Sequence, residues 1–300
     1  MTETISREMA KHWWLECVAC SEAAMTTQMR GFGLEEPVYE QATHPLSGGF
    51  MHLGHACGLL TGAALAAGFV AKAHLADPET RATATLYTTI QLAQAYPEWA
   101  GAVDCREITE LSFAKLSDRL RYLQQGKGRM CGRLHLKWAP QAQQVIEQSL
   151  ARFEADRPAG RCANCAVKAM QKMAASTGMA AEEATLVAGL AGGIGLLGNV
   201  CGVLAAGIYA LSIAQYRKQA APKRDSRLRG SLQELAGADS RGSVSRLRRA
   251  FSDRFAGELC SQIARRRFQS IEDHAAFVEQ GGCREVIDFV AAWVEDRAAG

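Results

Sequence analysis

Ten cysteines stand in this 300-residue chain, and their spacing is the first sign of chemistry. Cys17-Val-Ala-Cys20 and Cys162-Ala-Asn-Cys165 each leave two residues between thiols. On a helix or its first turn that gap brings both sulfurs to one side, where they can hold one metal or adjacent irons. Cys57 and Cys201 each follow a Gly-x-x step and precede a glycine, whose missing Cβ admits close backbone approach to a cofactor. N–H groups at such a helix start stabilise a thiolate or an anionic cluster. Structural zinc usually takes two Cys-x-x-Cys knuckles per site, and each half of the chain has one. A c-type haem needs histidine after the second cysteine, where Ser21 and Ala166 stand. Thiolates scattered over several helices therefore suit an iron–sulfur cluster better than zinc. Two other readings stay open. Each Cys-x-x-Cys is a thiol–disulfide pair with a lowered first pKa, or the cysteines are small apolar residues of an Ala-rich core. No thioredoxin-like βαβ pattern surrounds either pair.

The cysteines are duplicated. Leu46 to Leu60 lies over Leu190 to Leu204 without a gap at an offset of 144, with eight of fifteen positions identical. Cys17, Cys20, Cys57, Cys105 and Cys131 answer in order to Cys162, Cys165, Cys201, Cys260 and Cys283. Their offsets are 145, 145, 144, 155 and 152, so the main length difference falls between the third and fourth cysteine. The chain thus reads as two tandem copies, 1–155 and 156–300, joined near the polar Pro/Gly stretch Glu154 to Gly160.

Histidines distinguish the copies. His44, His52 and His55 surround the first motif, where the second has Ala188, Leu196 and Asn199. His55, two residues before Cys57, is a candidate imidazole ligand or proton donor, set against the blander reading of a satisfied loop residue. If the histidines matter, the first copy is the reactive site and the second a relay or structural partner. Arginines between Arg217 and Arg267 fall largely in the insert of the second copy. Asp225, Glu234, Asp239 and Asp253 interrupt them, which favours a solvated face over a nucleic-acid surface. Trp13 and Trp14 near the first cysteine pair read as core packing before they read as a shield for a cofactor.

The elements that must position these residues are helical. Apolar spacing predicts helices over Ser6 to Arg30, Leu53 to His74, Glu79 to Tyr96, Cys105 to Gln125 and Cys131 to Phe153, with Pro140 kinking the last or marking its start. In the second copy it predicts Cys162 to Ser176, Ala180 to Leu190, Leu197 to Lys218, Ser226 to Gly237, Ser243 to Phe255 and Cys283 to Arg297. No alternating strand pattern appears, so the expected fold is all-α, two tandem homologous bundle-like units.

Composition agrees with a globular protein: apolar residues are 48%, charged residues 22%, and the net charge is +3. That charge is too small to argue for nucleic acid. Thr185 to Tyr216 is uncharged for 32 residues, yet its glycines and Asn199 break it, so a buried helix pair is expected rather than a membrane span. The N-terminal segment has acidic residues and no apolar run, which points to the cytoplasm, where thiols stay reduced.

Cys20, then Cys57-Gly-Leu-Leu-Thr-Gly62, Cys105 and Cys131 resemble the putative redox-active protein family, read here as four cysteines with a Cys-Gly-Ala-x-x-Gly motif. Cys165, Cys201-Gly-Val-Leu-Ala-Ala206, Cys260 and Cys283 repeat the pattern. Leu59 and Val203 replace the motif's Ala, Ala206 its last Gly, and Cys17 and Cys162 lie outside the four. The resemblance implies a redox role; the reading of the cysteines adds the expectation of electron transfer to a redox partner protein. The expected metal ligands are Cys20, Cys57, Cys105, Cys131, Cys165, Cys201, Cys260 and Cys283, with His55. Cys17 and Cys162 are further candidates for contact with the cluster. A metal-free thiol–disulfide oxidoreductase, or a structural helical partner, is the alternative.

Overall fold

A computed structural model describes residues 2–112, 116–156, 162–218 and 242–298. The first copy comprises α1 (Arg7–Glu16), α2 (Cys20–Gly31), α3 (Pro37–Ala42), a 3-10 turn (His44–Leu46), α4 (Gly58–His74), α5 (Pro78–Ala100), α6 (Cys105–Thr109), α7 (Leu116–Gln124) and α8 (Lys127–Asp156). The second comprises α9 (Cys165–Thr177), a 3-10 segment (Ala181–Leu190), α10 (Gly202–Lys218), α11 (Ser243–Phe255), α12 (Cys260–Ile263), α13 (Ile271–Glu279) and α14 (Arg284–Ala298). In cysteine order α2, α4, α6, α7 and α8 correspond to α9, α10, α12, α13 and α14. Extended pairing among the described residues is confined to two isolated bridges, Ala56 with Asp104 and Val200 with Leu259. The all-α, duplicated fold is the expected one.

Local chemistry sets the helix ends. Ser6 accepts from Met9 N at 3.1 Å to start α1, and Asp77 accepts from Thr80 N at 2.8 Å to start α5, with Pro78 as its first residue. Asn164 Oδ1 caps α9 by accepting from Ala166 N and Val167 N. α4 and α10, rich in Ala and Gly, are buried along most of their length. At Gly62 the backbone of α2 comes so near that a side chain would strike the Ser21 carbonyl, so α2 and α4 pack backbone to backbone.

The copies interlock. The 3-10 segment of the second copy packs on α4 and α5 of the first, and α3 of the first packs on α10 of the second. One continuous apolar cluster therefore runs through both, from Met25 and Leu60 to Leu204 and Val290.

Several expected boundaries shift. The helix expected over Ser6 to Arg30 is broken, because the chain is extended at Cys17 and Ala19. Leu53 to Cys57 and Leu197 to Cys201 are turns, not helix, and Cys105 to Gln125 is split into α6 and α7. Ala180 to Leu190 takes 3-10 form. α8 runs through Pro140 without ending. Among the described residues no helix is long and apolar enough to cross a membrane; Thr185 to Tyr216 is interrupted by a glycine turn. The helix expected over Ser226 to Gly237 and most of the expected linker lie outside the described residues.

Candidate functional site

Cys17 caps the end of α1 and Cys20 opens α2, so the Cys-x-x-Cys step is a bend between helices rather than one helical face. Glu22 steadies the bend by accepting from Val18 N at 3.4 Å. Cys57 is the extended residue just before α4, and Cys105 opens α6. These two are tied together: Cys57 N donates to Val103 O at 2.9 Å, and Cys105 N to His55 O at 2.7 Å. The second copy repeats the tie, with Cys201 N to Glu258 O at 2.8 Å and Cys260 N to Asn199 O at 2.7 Å.

A left-handed turn precedes each tie. Gly48, Gly49, Phe50, Met51 and His52 all have φ between +54° and +71°, and Gly192, Gly193, Ile194, Gly195 and Leu196 lie between +56° and +79°. Left-handed backbone costs a non-glycine residue about 1–2 kcal/mol, so the turn is held by its surroundings. Met51 N donates to Pro45 O at 2.7 Å and His55 N to Gly49 O at 2.9 Å. Gly49 lies so close to His55 and Cys105 that a Cβ there would sit 2.7 Å from Cys105 Cβ. The turn thus delivers Cys57 to Cys105, a use of strain typical of functional sites.

Cys17, Cys20, Cys57, Cys105 and Cys131, carried on five different segments, line one cavity of about 280 Å³. Trp14, His52 and Tyr122 complete much of its wall. Burial pushes Cys20 up to about 11, against backbone contacts from Gly48 and Ser21 that lower it and with Cys131 adding to the rise. Cys57 and Cys105 are raised further by burial and then by their fellow thiols, and Cys131 is raised by burial against the hydrogen bond from Tyr122. That bond runs from the Tyr122 hydroxyl to Cys131 Sγ at 3.6 Å. The Tyr96 hydroxyl is fully buried, lacks a partner of hydrogen-bond geometry, and lies in the field of Cys57, Cys20 and Cys105.

The second copy gathers its thiols differently. His274 Nε2 stands 3.3 Å from Cys165 Sγ, and Cys165 also meets Cys283. The Cys283 contact first, then burial, raises Cys165, while His274 opposes the rise. Burial and then Cys165 raise Cys201 to about 12; Cys260 is raised by burial, Cys201 and Cys165. Cys162 is raised by burial, with Glu272 and Glu279 adding to the rise and a hydrogen bond with Thr83 opposing it.

His55 does not line the cavity. Its Nε2 lies 3.5 Å from Glu258 Oε2 of the second copy and its Nδ1 3.4 Å from Arg106 Nη2, so both ring nitrogens face the seam between copies. His52 is the histidine on the cavity wall. Three aromatic or imidazole groups were not singled out in the sequence: Tyr96, Tyr122 and His274. Several arginines of the described basic stretch are ion-paired, Arg248 with Glu258 and Arg266 with Asp273 among them, as a solvated face requires.

All ten cysteines are free thiols. Among the described residues no three His, Cys, Asp or Glu side chains are gathered so as to hold a single metal ion. A polynuclear cluster spreads its irons and accepts donors set wider apart. The first copy brings Cys20, Cys57, Cys105 and Cys131 to one cavity, with backbone contacts that favour the thiolate of Cys20 and the Tyr96 hydroxyl beside Cys57.

Fold and site together define a duplicated all-α protein with a cysteine centre in each copy. The chain belongs to the family described as Putative redox-active protein (C_GCAxxG_C_C), which matches residues 18–145 and 161–297. No curated protein and no solved structure shows significant similarity to it. The family pattern places glycine before the motif cysteine and alanine after it. That corrects the expected motif order: the alanine position is held by Gly58 and Gly202, and the last glycine position by Thr61 and Ala205. Gly58 has a local reason, since a Cβ there would lie 2.6 Å from Cys20 Sγ. Family membership carries a redox role.

Proposed function

We propose that the chain is an electron-transfer protein whose copies each hold an iron–sulfur cluster. Cys20, Cys57, Cys105 and Cys131 serve the first copy, and Cys165, Cys201, Cys260 and Cys283 are presented for the second. The observation that carries this reading is the convergence of the first-copy thiols on one cavity from separate elements. When bound, a cluster supplies a one-electron couple set by its ligands, hydrogen bonds and burial. The chain's own part is to hold the sulfurs, exclude water with Trp14 and Leu134, and aim the Tyr96 and Tyr122 hydroxyls at sulfur. The electrons pass to a redox partner protein, and cysteines that form no disulfide suit the reducing cytoplasm.

A thiol–disulfide reading has one observation in its favour, the contact of Cys165 with Cys283. Exchange needs thiolate, however, and burial holds these thiols protonated, Cys20 near 11 and Cys201 near 12. A bound cation reverses that penalty by charge neutralisation, so buried thiols suit ligation better than attack.

Anaerobic purification followed by iron, acid-labile sulfide and visible absorbance tests the proposal. Iron and sulfide in equal amounts are expected, with a loss of about half in Cys57→Ser. A colourless, iron-free chain with ten titratable thiols overturns it.

A further inference from the structure

The duplication sets hydroxyl groups at the first centre where the second copy has hydrocarbon. α5 ends at Ala100 and α11 at Phe255, while α7 ends at Gln124 and α13 at Glu279. Both pairs of ends are 155 residues apart, the interval that also separates Cys105 from Cys260. At that interval Tyr96 answers to Phe251, and Tyr122 to Phe277. The packing agrees for the second pair. Tyr122 reaches Cys131, and the Phe277 ring lies where a Cβ on Gly282, the residue before Cys283, would strike it.

Both tyrosines serve the thiols. Tyr122 lines the cavity, and its hydroxyl donates to Cys131 Sγ at 3.6 Å. Tyr96 is fully buried, and the Trp138 ring meets it edge-on at 4.9 Å. Its hydroxyl stands beside Cys57, where it favours the thiolate. Packing alone does not explain these hydroxyls. Phenylalanine fills the same places in the second copy, Phe251 with none of its surface exposed. A phenol oxygen taken out of water costs free energy unless it finds a partner. The partners beside Tyr96 and Tyr122 are two different sulfurs of one site.

We propose that Tyr96 and Tyr122 are the potential-setting residues of the first centre, their hydroxyls donating to the ligand sulfurs of Cys57 and Cys131 respectively. This inference rests on the iron–sulfur reading above and adds the residues that fix its couple. A hydrogen bond to a ligand sulfur draws charge from it and strengthens as the centre gains an electron. Each bond therefore favours the reduced form and raises the potential. Both tyrosines act through sulfur, as positioning residues and not as ligands.

The test uses the full chain, purified anaerobically with Cys201→Ser so that the first copy gives the signal. Tyr96→Phe and Tyr122→Phe each bring in the side chain that the second copy already packs at the equivalent place. Both are expected to keep the iron and sulfide of the parent. Redox titration of the visible absorbance is expected to show a drop of about 59 mV in each, tenfold in a one-electron equilibrium. Proton ENDOR of the reduced protein is expected to lose one exchangeable-proton coupling with each hydroxyl. Tyr87→Phe, on α5 against Phe153 and away from the cavity wall, is expected to shift neither. An iron-loaded Tyr96→Phe or Tyr122→Phe variant whose equilibrium stays within about twofold of the parent's, or whose potential rises, overturns the inference and leaves the iron–sulfur reading standing. An equal drop in Tyr87→Phe overturns it too. So does loss of iron from either test variant, because the hydroxyl would then hold the cluster in place instead of setting its potential. A parent chain without iron fails the underlying reading as well.

Discussion

Asn199 of the second copy donates from Nδ2 to Asp104 Oδ1 of the first at 2.7 Å, while its Oδ1 accepts from Ala56 N at 3.1 Å. Its counterpart His55 reaches the other way, to Glu258. The residues that link Cys57 to Cys105 and Cys201 to Cys260 are thus bonded to each other across the seam. Neither tie is independent of the opposite copy, and a shift in one is transmitted to the other through the Asn199 amide and the His55–Glu258 contact.

Asn199→Ala removes that amide, strands the Ala56 N–H and leaves the Asp104 carboxylate with Arg106 alone. Loss of partners for half-buried groups costs about 1–3 kcal/mol. Urea denaturation is expected to show a loss of that size, and Asn199→Asp a larger one, because it sets a second carboxylate against Asp104. Stability within about 0.5 kcal/mol of wild type in the alanine variant would show that the seam is solvated.

The left-handed turns predict an asymmetry between equivalent positions. Met51 has φ +54° and its counterpart Gly195 has φ +56°. Met51→Gly relieves about 1–2 kcal/mol of strain, offset by lost packing of a half-buried side chain and the entropy of glycine. Its net effect on urea stability is expected within about 1 kcal/mol. Gly195→Ala adds the strain and sets a Cβ 2.9 Å from Thr89 O, so a loss of about 2 kcal/mol or more is expected. Equal effects in the two variants would refute the account of the turn.

Much of this was legible beforehand. The paired order of the cysteines and the matched Gly-Gly steps gave the duplication, and the absence of alternation gave the helical class. The break at Cys17 was not legible, because Cys-Val-Ala-Cys is compatible with helix and the bend is imposed by tertiary packing. The turn was hidden in the first copy, where Phe50, Met51 and His52 have no left-handed preference; Gly192, Gly193 and Gly195 in the second were the available signal. His274 was not marked by the duplication, since at the offset of 155 that relates α7 to α13 its counterpart is Arg119. Tyr96 carried no such mark, and only the packing of α5 sets it beside Cys57.

Cys17 and Cys20 are expected to separate on substitution. Both line the cavity, and the field of Cys20 reaches Cys57 and Cys105. Cys17→Ser is expected to keep iron and sulfide at wild-type levels, and Cys20→Ser to lose about half. The reverse result would make Cys17 the ligand.

His135 supplies a pH dependence away from the cysteines. It is fully buried between α2 and α8, with Nε2 at 3.2 Å from Thr27 Oγ1 and the Trp14 ring 5.5 Å away. Burial lowers its pKa from 6.5 to about 4 despite an opposing backbone contact with Ala10. Its folded value is depressed, so the unfolded chain binds the extra proton between pH 6.5 and 4. The stability tied to the neutral ring is whole above pH 6.5 and lost as pH falls towards 4, a change of about 3 kcal/mol by the linkage constant. In His135→Gln, urea stability measured from pH 7.5 to 4.5 is expected to fall less steeply than in wild type. Parallel slopes would mean that the ring already accepts the proton in the folded protein.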